Sequence, residues 1–148
     1  MSLEKDVMTQ MKAAMKAKDA AALEALRAVK SAILLAKTEN SQQDLSEEEE
    51  IKILQKLVKQ RKDSAILYRE QNREDLAEPE EKQAEVIAQF LPEQLSEAEI
   101  EAKVKAIIAQ TGAEGMKDMG KVMGLASKEL AGKADGKTIS MVVKKKLA

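Results

Sequence analysis

The sequence predicts an all-α protein in two parts, an N-terminal helical domain with a long central helix and a small three-helix domain behind it. Three observations carry this. The 148 residues include 23 Ala but only 6 Gly and 2 Pro, and a chain rich in Ala, Glu, Lys and Leu favours packed helices over sheet. No segment sustains the period-two alternation of a half-buried strand. Charge and glycine are also unevenly spread: Gly112 to Ala148 holds all six Gly and eight Lys against four Asp or Glu, a balance of +4, which leaves −5 on the first 111 residues. The expected domains are 1–92 and 93–148, with the boundary in Leu91–Ser96.

Helical spacing defines the elements in turn. Leu3, Val7, Met8, Met11 and Met15 mark a first amphipathic helix to about Lys18. Asp19 is an N-cap for a second, whose stripe is Leu23, Leu26, Val29 and Ile33. Thr38–Asp44 is polar and aperiodic, hence a loop. Ser46 and Glu49 then form a capping box, and Glu47–Glu50 suit the positive end of a helix dipole. The helix behind them reaches about Gln71 and carries two apolar stripes. One is Ile51, Leu54, Val58 and Ala65; the other is Ile53, Leu57 and Leu67. Two stripes ask for neighbours on both sides, which places this helix in the middle of its domain.

Pro79 fits a first-turn position, so a fourth helix is expected from there through Val86 and Ile87 to Phe90. Leu91-Pro92 stops it, because the residue before Pro is pushed out of the α region. Ser96 with Glu99 is a second capping box, opening a helix through Ile100, Val104, Ile107 and Ile108 that ends at Gly112. Asp118 caps a helix to Ala131, with Gly132 beyond it. Asp135-Gly136 reads as a turn, and a last short helix holds Ile139, Val142, Val143 and Leu147.

Composition removes much chemistry. The chain has no Cys and no His, so disulfides, Cys nucleophiles, zinc fingers and His-based acid/base catalysis are excluded. No apolar run is long enough to span a bilayer, and residues 1–20 lack a signal-peptide core, so a soluble cytoplasmic protein without membrane association is expected. Gly132 to Thr138 resembles a phosphate-binding loop but has one residue too few between its glycines and follows a helix. Ser2-Leu-Glu-Lys5 spells a Ser-x-x-Lys nucleophile, but before an amphipathic helix it reads as a cap. Consecutive carboxylates at Glu47–Glu50 point in different directions and make no metal site. Asp63 and Glu70 are better explained by links to Lys59, Lys62 or Arg69 than as an acid pair. Tyr68 and Phe90 are too few platforms for a base-stacking single-strand binder. No catalytic, cofactor or metal residue is assigned.

The residues that can carry function lie on the helix after Asp118. At 100° per residue, Met119, Val122, Met123, Ala126 and Leu130 share the core sector. Lys121, Gly124 and Lys128 share the opposite one. Two ammonium groups flanking a backbone without a side chain let a phosphate, or another backbone, approach closely. Lys133 and Lys137 extend the field, with Lys144–Lys146 as further candidates. The competing reading is plain solvation, with Gly120 and Gly124 serving helix packing and the last three lysines the helix dipole.

Leu26-Arg-Ala-Val-Lys30, Lys59-Gln-Arg-Lys-Asp-Ser64, Phe90-Leu-Pro-Glu-Gln-Leu-Ser-Glu-Ala-Glu99, Asp118-Met-Gly-Lys-Val-Met-Gly124 and Gly132-Lys-Ala-Asp-Gly-Lys137 resemble the YqeY-like family over essentially the whole chain. The C-terminal part is similar to the tail of the B subunit (GatB) of the glutamine-dependent Glu-tRNA/Asp-tRNA amidotransferase. What the resemblance implies is an all-α fold and a tail that engages tRNA. It also carries the label of a carbon–nitrogen ligase with glutamine as amido-N-donor, whose chemistry sits in domains this chain lacks. The sequence therefore predicts a tRNA- or RNA-associated accessory protein, non-catalytic alone, with nucleic-acid contacts at Lys121, Gly124, Lys128, Lys133 and Lys137. The acidic first part confines those contacts to the C-terminal domain. Two alternatives stand beside this: a protein-interaction module that docks a partner on the Gly120/Gly124 surface, and a component of an amidotransferase acting on charged tRNA.

Overall fold

The computed structural model describes residues 2–41 and 44–148. Among them are seven α-helices and no strand. They cluster into two compact units, Met1–Leu91 and Pro92–Ala148.

The first unit contains α1 (Leu3–Ala17), α2 (Ala20–Glu39), α3 (Glu47–Glu70) and α4 (Glu74–Ala88). Ser2 accepts from Lys5 N–H at 3.3 Å and caps α1. Lys18 ends α1 in the left-handed conformation, and Asp19 caps α2 through Ala22 N–H at 3.1 Å. α2 takes Thr38 and Glu39 from the expected loop; Gln42 and Gln43 lie outside the described residues. The Ser46/Glu49 box forms in both directions, at 3.1 and 2.8 Å. Val7, Leu26, Val29, Ile33, Leu54 and Ile87 are the buried centre of this unit.

Two expectations need correction here. The long helix α3 is not in the middle. α2 packs against α1, α3 and α4, whereas α3 lies chiefly along α4. Its second stripe is therefore only half-covered at Ile53 and Leu57, and Leu67 is 57 % exposed. Pro79 does not open α4 but lies inside it, five residues after the first helical residue. Ala77, fully buried, and two arginine clusters hold the extra turn. Arg69 bonds Glu74 at 2.9 and 3.0 Å and also pairs with Glu81; Arg73 bonds Asp75 at 3.0 and 3.1 Å. These contacts outweigh the one backbone hydrogen bond Pro79 cannot donate.

The second unit contains α5 (Glu97–Thr111), a 3-10 turn (Met116–Asp118), α6 (Met119–Glu129) and α7 (Gly136–Leu147). Ser96 Oγ accepts from Glu99 N–H at 3.2 Å, and its hydroxyl donates to the Glu99 carboxylate at 3.0 Å. Only half of the expected capping box thus forms. Gly112 ends α5 with φ +67°. Asp118 does not cap α6 with its side chain; its carboxylate instead accepts from Glu114 N–H at 2.8 Å. Asp135 caps α7, accepting from Thr138 N–H at 2.7 Å. The three helices close over Ile100, Val104, Ile107, Val122, Ala126, Leu130, Ile139 and Val143.

Candidate nucleic-acid interface

Helix α6 presents its two faces to different surroundings because its apolar residues recur every three or four positions. Val122, Ala126 and Leu130 are buried, and Met119 and Met123 are half-covered against the same core. Lys121, Gly124 and Lys128 occupy the opposite side and are exposed. Gly120 is exposed as well. A Cβ built on Gly120 or on Gly124 meets nothing within 4 Å, so neither glycine serves close packing inside this chain. Both also lie at ordinary helical φ, unlike Gly112, Gly115 and Gly132.

Four carboxylates of this unit are engaged away from that face. Asp118 holds the Glu114 amide, Asp135 holds the start of α7, and Glu129 turns to Lys103 on α5 at 3.9 Å. Glu101 pairs with Lys145 and Lys146 at 3.4 and 4.0 Å. Among the described residues no ion pair forms at Lys121, Lys128, Lys133 or Lys137, all of them exposed. Two of the three terminal lysines proposed as an extension of the field are therefore tied to α5, and Lys144 has no ion pair among the described residues. Lys117 was missed by the helical projection because it sits in the 3-10 turn. It is exposed one turn before Lys121 and forms no ion pair among the described residues; its i−4 spacing from Lys121 is the signal that marks it.

Lys133 and Lys137 are placed by the turn between α6 and α7. The Lys133 carbonyl accepts from Leu95 N–H at 2.9 Å. Gln94 Nε2 donates to the Gly132 carbonyl at 2.7 Å and to the Pro92 carbonyl at 2.8 Å. Residues 92–95 thus clamp the turn from outside. The arrangement concentrates positive charge on one exposed side of the second unit. Among the described residues no cluster of three Asp or Glu is placed to hold a metal ion, and no helix is long and apolar enough to cross a membrane.

Comparison with known proteins adds the kinship. The chain is similar to "Altered inheritance of mitochondria protein 41, mitochondrial" of Lachancea thermotolerans, 36 % identical over 111 residues, which is 74 % of this chain and 57 % of that protein. The protein of the same name from Meyerozyma guilliermondii is 36 % identical over 118 residues, 78 % of this chain and 61 % of its own. The match thus spans about three-fifths of these curated relatives. Their names overturn the cytoplasmic expectation, since both are mitochondrial proteins. Helix composition and the lack of a long apolar run describe a fold, and the same fold serves in either compartment. The model of the Yqey-like protein family matches residues 4–147, so nearly every residue of both units is accounted for, and the chain belongs to that family.

Proposed function

We propose that the chain is an RNA-associated accessory protein whose second unit holds tRNA by its phosphate backbone, without catalysis of its own. The observation that carries this is the outward side of α6. Lys121 and Lys128 stand exposed on either side of Gly124, without carboxylate partners among the described residues, and a Cβ on Gly124 would meet nothing within 4 Å. Unpaired ammonium groups on a rigid helix release counterions when they meet a polyanion, and such contacts position a nucleic acid without reading its sequence. Lys133 and Lys137 continue the charge past the end of α6. The similarity of this segment to the tRNA-engaging amidotransferase tail supports tRNA as the polyanion.

The test is a salt titration of tRNA binding with the full chain and with a Lys121→Glu/Lys128→Glu variant. The full chain should lose affinity steeply with salt. The variant should bind more weakly, with a log–log salt slope shallower by roughly one for each lysine removed. Unchanged binding by a variant of intact helicity overturns the proposal. A protein partner retained by this face after nuclease and at high salt would assign it to protein docking instead. Glutamine-dependent product from charged tRNA by the purified chain would assign it to catalysis.

A further inference from the structure

We infer that the α6 face takes a base-paired RNA segment, gripping its backbone by shape and leaving its bases unread. This rests on the reading proposed above. All four arginines (Arg27, Arg61, Arg69 and Arg73) and both aromatics, Tyr68 and Phe90, precede Pro92. The ten cations of the second unit are all lysine. Base edges are read by planar forks, Arg on guanine or Asn and Gln on adenine. Here Asn is absent after residue 91, Gln94 is consumed by two backbone carbonyls, and Gln110 belongs to α5. Splayed single-stranded bases need an aromatic or guanidinium plane to stack on, and this unit has neither.

What is left is a set of point charges on backbone anchors at fixed spacing. Lys121 and Lys128 stand two turns apart on one helix, about 10 Å along its axis. When phosphates are already held in a regular array by base pairing, only the lysine side chains have to be ordered to meet them. A flexible strand would have to be ordered first, with no stacking gain to offset the lost entropy. The bare backbone at Gly124 lowers the surface between the lysines, and Ser127 is exposed on the same helix. A helical RNA offers 2′-hydroxyls to such a surface across its shallow groove.

The experiment compares the full chain with the Lys121→Glu/Lys128→Glu variant on tRNA, two RNA duplexes of permuted sequence, and one of their strands alone, at two salt concentrations. The variant should lose about tenfold or more on tRNA and equally on both duplexes, and much less on the strand. An equal loss on the strand, a preference for one duplex, or a loss on tRNA with none on the duplexes overturns this inference while leaving the proposed function standing. Failure of the full chain to bind any of the four overturns the proposed function, and this inference with it.

Discussion

The Gln94 side chain donates to the Gly132 carbonyl at 2.7 Å, joining residues 38 apart in the chain. Gly132 has φ +78°, a left-handed conformation that glycine adopts without strain. The same amide reaches the Pro92 carbonyl, and the next residue's N–H bonds Lys133. One polar residue before α5 therefore positions the turn that presents Lys133 and Lys137. Gln94→Ala should lower the stability of the second unit by about 1 kcal/mol, read as a lower urea midpoint at unchanged m-value. tRNA affinity should fall modestly, because the two lysines would sit on a looser turn.

The connection between α3 and α4 predicts an acid-sensitive first unit. The Arg69 guanidinium, hydrogen-bonded to Glu74 and Glu81, holds both carboxyls below their ordinary range. Their pKa is thus lower folded than unfolded. The stability they contribute is present above the usual carboxylate pKa, near ~4.3, and is lost as pH falls through the depressed values. Arg69→Gln should have a lower urea midpoint than the parent at pH 7, and the difference should shrink towards pH 3. All three groups face solvent, so added salt should shrink it too.

Glu50 runs the opposite way. Burial, then the neighbouring charges of Glu4 and Glu47, push its carboxyl above the ordinary range. The charged form is disfavoured in the fold, so Glu50 opposes folding at neutral pH and stops doing so as pH falls through its raised value. Glu50→Gln should therefore raise the melting temperature at pH 7 and leave it nearly unchanged at pH 4. A gain of equal size at both pH values would place its origin in packing rather than charge.

Local signals in the sequence were legible where a single short-range bond decides the outcome. Asp19, Ser46 and Ser96 each meet a backbone N–H three residues on, and Gly112 adopts the left-handed end that no side chain tolerates as well. Signals that depend on distant partners were not. Pro79 looks like a helix start until Arg69, ten residues earlier, meets Glu74 and Glu81. Asp118 looks like a cap until Glu114 claims its carboxylate. The two stripes of α3 were read correctly as apolar, but periodicity does not say whether a neighbour arrives, and at Leu67 none covers it. On α6 the division of faces follows from spacing alone. That Asp118, Glu129 and Asp135 would all be occupied away from the lysines could be known only from the folded chain.

Gly124 separates the structural from the functional reading of the α6 face most cleanly. It sits in the helix interior at ordinary helical φ with open space where a Cβ would stand. Glycine there weakens the helix by about 0.8–1 kcal/mol relative to alanine, and nothing within the chain compensates. Gly124→Ala should accordingly raise the melting temperature, whereas Gly112→Ala, at φ +67°, should lower it because alanine is strained in the left-handed region. If a partner backbone approaches α6 at Gly124, the added methyl must also push it away. The same Gly124→Ala protein should then bind tRNA several-fold more weakly despite being more stable. Greater stability with undiminished affinity would show that the lysines act at a distance and that no backbone approaches this glycine.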